Sequence, residues 1–116
     1  MISPIPIAKP LINQEETKAV NKAIKSGWIT MGKKVKEFER KICTLTKSKY
    51  SVAVNNGTSA LDAILKALSI GPGDEVIVPS LTYISTSNVV LYNGAKLVLC
   101  DNDPDTFNVT VKNIEK

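Results

Sequence analysis

The chain has 116 residues, 43% of them apolar and 22% charged, with a formal net charge of +4. This length fits one domain or part of one, and the composition is that of a globular protein rather than a disordered chain. No histidine and only two cysteines are present, which excludes a Ser-His-Asp triad, a His-ligated zinc site and a disulfide framework within these residues. Without zinc-ligand spacing or a basic patch interleaved with aromatics, no metal and no nucleic-acid partner are expected.

The N-terminal segment predicts neither a signal peptide nor a helix. It lacks a charged start followed by an apolar stretch, and no run in the chain is long enough to span a bilayer. We therefore expect a cytoplasmic protein without a membrane partner. Three prolines favour extended backbone over residues 1–12.

Two helices are predicted next, near residues 14–26 and 34–46. Asn13, followed three residues later by Glu16, has the pattern of a capping box at the start of the first helix. Gly27 is expected to end that helix, and apolar residues at three- and four-residue spacing indicate the second.

The remainder of the chain alternates apolar strand runs with helical patterns. Strands are predicted near residues 51–54, 75–78 and 96–100, and helices near residues 60–68 and 85–92. Near-continuous apolar strands separated by helices indicate parallel βαβ units in a three-layer αβα fold.

We expect two regions on this basis. Residues 1–48 form an extended segment and two helices, and residues 49–116 form a partial βαβαβ domain. Within the second region, Gly71-Pro72-Gly73-Asp74 is expected to stop the preceding helix, and Thr110 to cap a last helix.

The turn at Gly57, Thr58 and Ser59 is a candidate anion site. It precedes a helix, whose first backbone N–H groups have no partner inside the helix and whose dipole favours negative charge. Gly57 permits close approach of a ligand, and the two hydroxyls add donors. The alternative interpretation is an ordinary capped helix, because Asn, Gly, Thr and Ser also suit caps.

For two aromatic residues the sequence likewise permits either a ligand-binding role or a packing role. Tyr83 follows the strand at residues 75–78, at the sheet edge where ligands of open α/β sheets bind, and its ring could stack on a planar cofactor. It could equally fill the helix–sheet interface. Trp28, in a loop flanked by Gly27 and Gly32, is either the wall of a pocket or a packing residue.

Several motifs follow one another in order along the chain. They are SGWIT at residues 26–30, FE at 38–39, NGTSAL at 56–61, GPGDEVIVPS at 71–80, TY at 82–83, and Asp101 before Asp105-Thr106. In this order they resemble the start of the DegT/DnrJ/StrS-type sugar aminotransferases, which are fold-type I pyridoxal phosphate (PLP) enzymes. The stretch from Thr82 to Ala95 is most similar to the perosamine synthase branch.

The resemblance implies roles for particular residues at the cofactor. Gly57, Thr58 and Ser59 match the turn that holds the PLP phosphate, in agreement with the anion site above. Tyr83 matches the aromatic residue that stacks on the pyridine ring.

A second set of roles concerns the substrate. The loop from Trp28 to Gly32 matches a segment beside the sugar-nucleotide pocket, so the resemblance implies substrate contacts by Trp28, Ile29 and Thr30. Family members take an amino group from glutamate and pass it to a keto sugar carried on a nucleotide. They are homodimers with active sites at the subunit boundary.

The resemblance also implies a longer enzyme. The expected fold is the N-terminal part of the large domain of an aspartate aminotransferase-like, fold-type I transferase. The lysine that carries the cofactor and the aspartate that pairs with its pyridinium nitrogen are expected beyond residue 116. No catalytic residue is therefore expected within the chain, which should be inactive alone and should associate with the remainder or with a second copy.

One departure and two rival interpretations accompany this assignment. Many family members have histidine where this chain has Asp62, a position expected on the helix surface. The first rival is a non-catalytic remnant that binds a partner or the PLP phosphate without chemistry. The second is a cysteine desulfurase or another fold-type I relative, which the SGWIT and GPGDEVIVPS segments fit less well.

Overall fold

The computed structural model describes residues 5–115, and the chain divides after Val52 into two compact units. The first unit holds two helices, and the second holds a parallel two-stranded sheet with three helices. The elements in chain order are α1 (Gln14–Lys25), α2 (Lys33–Thr46), α3 (Gly57–Ala67), β1 (Glu75–Pro79), α4 (Ser85–Tyr92), β2 (Lys96–Cys100) and α5 (Val111–Ile114).

Helix α1 begins and ends as its sequence predicts. The Asn13 side-chain oxygen accepts a hydrogen bond from the Glu15 amide at 2.8 Å, and the Asn13 amide donates to the Glu16 carboxylate at 2.7 Å. This reciprocal pair satisfies two donors at the helix start. At the other end Gly27 adopts a left-handed φ of 71° and donates its amide to the Ile24 carbonyl.

Helix α2 confirms the second helical prediction and carries a charged, exposed face. Lys34 and Lys41 both reach Glu37, at 2.8 Å and 3.5 Å. The hydrogen bond from Lys34, followed by the charges of Lys34 and Lys41, lowers the pKa of Glu37. The helix ends at Lys47, which adopts the left-handed conformation with a φ of 57°.

Helix α3 ends before the Gly71–Asp74 turn that was expected to stop it. Its last residue is Ala67, and Ser69 takes the left-handed conformation with a φ of 59°. The Ile70 amide then donates to the Leu65 carbonyl at 2.9 Å, which closes the helix end. The turn at Gly71–Asp74 therefore follows the helix end and leads into β1, rather than stopping the helix itself.

The strand predicted at residues 51–54 does not form within residues 5–115. Within the described part of the chain, the only sheet is formed by β1 and β2, and residues 51–54 are not in it. Val52 and Val54 are both exposed, whereas a buried strand would cover them. Apolar content alone predicted this strand, but a strand exists only through hydrogen bonds to a neighbour. The described part of the second unit therefore has the element order αβαβα.

The two remaining strands match their predictions and form one βαβ unit. They run parallel with Val76 opposite Leu97 and Val78 opposite Leu99, and α4 forms the connection between them. Helix α4 packs on both strands and α3 packs on α4. The buried centre consists of Val78, Val90 and Ala95. Leu65, Ile70, Val76 and Leu97 pack around it.

Among residues 5–115, no helix combines the length and apolar character needed to cross a membrane. The same residues contain no grouping of three or more Cys, Asp or Glu side chains that could hold a metal ion.

Candidate functional site

The first turn of α3 contains three of the predicted cofactor residues, Gly57, Thr58 and Ser59. The helix begins there because the preceding Asn56 is extended and caps it. The Asn56 side-chain oxygen accepts from the Ser59 amide at 2.9 Å, and its carbonyl accepts from the Ala60 amide at 3.2 Å. Asn56 was not predicted as a site residue, although an Asn three positions before a helical Ser is a cap signal.

Four donor groups of this turn stay available to a ligand. Within residues 5–115, the amides of Gly57 and Thr58 and the hydroxyls of Thr58 and Ser59 form no hydrogen bond. The cap occupies only the Ser59 amide. Free N–H groups at a helix N-terminus, together with the helix dipole, attract an anion. A plain capped helix would leave these same groups to bond water, so both interpretations of the turn stand.

Gly57 faces open space. Among residues 5–115, apart from the chain neighbours and the backbone of its own helix, a Cβ atom added at this position would meet no heavy atom within 4 Å, and its φ is not in the left-handed region. Neither backbone strain nor crowding inside the described residues therefore requires a glycine here. The absence of a side chain at Gly57 lets a ligand approach the backbone of this turn closely.

Tyr83 lies in the connection from β1 to α4. Its side chain is 77% exposed, so it does not fill the helix–sheet interface, and that alternative is wrong. The Tyr83 carbonyl accepts from the Thr86 amide at 2.9 Å, and the hydroxyls of Thr82 and Thr86 are 3.1 Å apart. The backbone at Tyr83 is thus tied to the first turn of α4, while the ring has an open face.

Trp28 lies in the other unit and closes its own loop. Its indole nitrogen donates to the Met31 carbonyl at 3.0 Å, and the ring covers Gly32 so closely that a Cβ there would be 2.3 Å from that nitrogen. Ile29 is 81% exposed and Thr30 is exposed. The two interpretations of Trp28 are therefore compatible, because the ring packs on its loop and also borders a cavity.

This cavity belongs to the first unit and has a volume of about 590 Å³. Trp28, Thr30, Met31 and Gly32 form part of its wall, whereas Ile29 does not. Lysine side chains contribute much of the remaining wall, namely Lys22, Lys33, Lys34 and Lys36. An apolar ring beside several cations is a surface that suits an anionic ligand with a planar part.

Asp62 links α3 to α4. It is half-buried, and its carboxylate accepts from the Asn93 amide nitrogen at 2.8 Å and from Lys66 at 2.6 Å. The hydrogen bond from Lys66, then that from Asn93, lowers the pKa of Asp62. Asp62 lies on the helix surface, as expected, and faces the end of α4. Asp62 fixes the helix that carries the anion site against its neighbour.

Comparison with known proteins decides the family. Residues 10–116 match the profile of the DegT/DnrJ/EryC1/StrS aminotransferase family. The chain belongs to this family. The predicted fold, part of a fold-type I PLP-dependent transferase, is confirmed by solved structures of the same family, among them one solved in its PLP form.

Three solved structures show how far the similarity extends. Spr1654 of Streptococcus pneumoniae, a protein assigned as a sugar aminotransferase and solved in its PLP form, is 41% identical with a TM-score of 0.87 over 96% of this chain. An aminotransferase from Psychrobacter cryohalolentis is 38% identical, with a TM-score of 0.86 over 95%. The E. coli GDP-4-keto-6-deoxy-D-mannose-3-dehydratase, with hydrated PLP, is 29% identical with a TM-score of 0.86 over 92%.

The chain is much shorter than these relatives. It spans 28% of the length of Spr1654 and 29% of the length of each of the other two proteins. The described residues nevertheless fit one part of the cofactor. The free donors of the α3 turn and the open space at Gly57 suit the PLP phosphate, which carries the negative charge that a helix N-terminus attracts.

Proposed function

We propose that the protein carrying this chain is a PLP-dependent aminotransferase that moves an amino group from glutamate to the keto group of a nucleotide-linked sugar. The observation that carries this proposal is the α3 turn. Two free amides, two free hydroxyls and an open glycine position occur together at the start of a helix, in a chain of the sugar aminotransferase family.

The residues of the α3 turn would hold the phosphate of PLP. The amides of Gly57 and Thr58 and the hydroxyls of Thr58 and Ser59 would donate hydrogen bonds to its oxygens. When bound, PLP supplies an electron sink that lets an amino group pass between an amine donor and a carbonyl acceptor. At the phosphate end of the cofactor, the role of the protein would be to prevent dissociation and rotation of PLP.

Tyr83 would supply the surface on which the pyridine ring lies. Its ring is exposed, and its backbone is held by α4, so the side chain can meet a flat ligand without losing contacts inside the protein. Offset stacking of two aromatic rings contributes roughly 0.5–1.5 kcal/mol beyond burial. Such a contact fixes the plane of the cofactor, which the phosphate site alone cannot do.

The cavity at Trp28 would take part of the sugar nucleotide. Trp28 and Thr30 border it and several lysines surround it, which suits the diphosphate of a nucleotide sugar. Ile29 is exposed beside the cavity without forming its wall, so its contact with substrate would come from the outer side of the loop.

The rest of the active site would come from residues outside this chain. The lysine that binds the cofactor and the aspartate at the pyridinium nitrogen are proposed to lie in the remainder of the enzyme, and the enzyme is proposed to be a homodimer. Exposed apolar residues of the second unit support this part of the proposal. Ile77 in β1, Leu99 in β2 and Leu91 in α4 are each about half exposed or more, which is a surface that further strands or a second subunit would cover.

The proposal is tested with the protein expressed from its native gene, supplied with PLP, glutamate labelled with ¹⁵N at its amino group, and a panel of nucleotide-linked 4-keto and 3-keto sugars. We expect ¹⁵N in an aminated sugar nucleotide and an equal amount of 2-oxoglutarate. A dehydrated sugar without ¹⁵N would instead assign the protein to the dehydratase chemistry named for the E. coli relative. Absence of PLP binding would favour the non-catalytic remnant.

A further inference from the structure

Asn102 joins the segments that follow the two strands. The parallel register pairs Pro79 with Cys100, and the Ser80 amide extends the ladder by donating to the Cys100 carbonyl at 2.8 Å. Two residues after β2, the Asn102 side-chain oxygen accepts from the Leu81 amide at 2.9 Å and from the Ser80 hydroxyl at 3.2 Å.

The other end of the same side chain is also bonded. The Asn102 amide nitrogen donates to the Phe107 carbonyl at 2.8 Å. One side-chain amide therefore accepts from the β1–α4 connection and donates to the loop after β2. A carboxamide can do both, because its oxygen accepts and its nitrogen donates.

Tyr83 lies between this anchor and a second one. On the upstream side, Leu81 is held by Asn102. On the downstream side, the Thr86 amide donates to the Tyr83 carbonyl at 2.9 Å. Because the ring is exposed, the backbone between these two anchors sets the direction in which it leaves the chain.

We propose that Asn102 is the positioning residue for Tyr83, and that it sets the ring's orientation toward the cofactor through Leu81 and Ser80. This inference rests on the proposed function, since it takes the ring of Tyr83 to lie against PLP. Asn102 would touch neither cofactor nor substrate. Its effect on the cofactor passes through the peptide segment that ends at Tyr83.

The test measures PLP affinity of the protein expressed from its native gene, by absorbance and circular dichroism of the bound cofactor during titration of the apoprotein. Asn102→Ala removes all three hydrogen bonds and is expected to raise the Kd for PLP about fivefold. Asn102→Asp keeps the oxygen that accepts from Leu81 and Ser80, so most of the affinity should return. Asn108→Ala is the matched control, because the Asn108 side-chain amide bonds the Thr106 carbonyl and not the connection that carries Tyr83.

A double-mutant cycle separates positioning from general stabilisation. In a Tyr83→Ala background the ring is gone, so Asn102→Ala is expected to leave the Kd unchanged to within about 1.5-fold. If Asn102→Ala does not fold, Ser80→Ala replaces it in the cycle, with an expected change of about twofold with Tyr83 and none without it.

The outcomes separate this inference from the proposed function. Equal fold-changes with and without Tyr83 would overturn the positioning role while leaving the proposed function intact. A native protein that binds no PLP would overturn both. A cycle in which the effect of Asn102 disappears with Tyr83 supports the inference.

Discussion

The side-chain oxygen of Asn56 lies 2.9 Å from the backbone nitrogen of Ser59 and accepts its hydrogen bond. This cap uses the third amide of α3 and leaves the first two, those of Gly57 and Thr58, directed at the space beyond the helix. Helix stability and anion binding therefore depend on different groups of one turn, and substitutions can separate them.

Substitutions of Asn56 should distinguish helix stability from anion binding most clearly. Asn56→Ala removes the cap and is expected to lower the free energy of unfolding by about 1 kcal/mol. Asn56→Asp keeps an acceptor for the Ser59 amide and should keep that stability, but its charge would repel the PLP phosphate. Thermal denaturation of the apoprotein and PLP titration check the two effects. Asn56→Asp binding PLP as tightly as the native protein would contradict a phosphate at this turn.

Gly57 is expected to matter for the cofactor and not for the fold. Gly57→Ala introduces a methyl group with no contact within 4 Å in the described part of the chain beyond its own helix and neighbours, so the melting temperature of the apoprotein should not fall. The methyl group would stand between the phosphate and the amides, and we expect about a tenfold weaker Kd for PLP, equivalent to ~1.4 kcal/mol. Gly71→Ala, where a Cβ would make only an ordinary contact at 3.5 Å with the Asn93 carbonyl, is the control.

Gly32 is expected to hold the Trp28 loop together. Gly32→Ala places a Cβ 2.3 Å from the indole nitrogen, so the ring must move and lose its hydrogen bond to Met31. The indole N–H resonance in a ¹⁵N NMR spectrum, identified by its absence in Trp28→Phe, should shift upfield toward the position of a solvated indole. An unchanged resonance would show that the ring does not cover Gly32.

The loop after β2 is expected to respond to acid through Asp103. Its carboxylate accepts from the Thr106 amide at 2.9 Å, the Thr106 hydroxyl at 2.9 Å and the Asp105 amide at 3.2 Å. The bonds from Thr106, the backbone one first, lower the pKa of Asp103. Because the pKa is lowered by folding, this stabilisation is complete above about pH 4 and is lost as the pH falls through the folded-state value.

Amide hydrogen exchange of Thr106, measured at pH 6 and at a series of lower pH values and corrected for the intrinsic rate, follows this loss. We expect protection at pH 6 that declines only once the pH falls through the lowered pKa of Asp103, whereas Asp103→Asn should be weakly protected throughout. Equal protection of native Thr106 and of Thr106 in Asp103→Asn at pH 6 would contradict the role of the carboxylate.

Local signals in the sequence were sufficient for much of the fold. The capping pair at Asn13 and Glu16, the left-handed Gly27, and the apolar run of β2 each act over a few residues, and the structure confirms each. The run at residues 51–54, predicted as a strand, forms none within residues 5–115, for the opposite reason. A strand requires a partner elsewhere in the chain, and apolar composition does not identify one.

In the candidate site, too, features set by local sequence could be predicted, and features set by distant contacts could not. The place of Gly57, Thr58 and Ser59 at a helix start could be predicted because a capped helix start has a sequence pattern, whereas the open space at Gly57 required the structure. Asn102 had no such signal. Its bonds to Ser80 and Leu81 cross more than 20 residues and follow from the register of β1 and β2, which the sequence alone does not specify.

The most direct test of the central claim is a crystal structure of the protein expressed from its native gene with PLP bound. The measured quantities are the distances from the phosphate oxygens to the backbone nitrogens of Gly57 and Thr58. We predict hydrogen bonds of about 2.7–3.2 Å to both nitrogens, with the Thr58 and Ser59 hydroxyls also in contact. A phosphate held elsewhere, with this turn facing only water, would contradict the account.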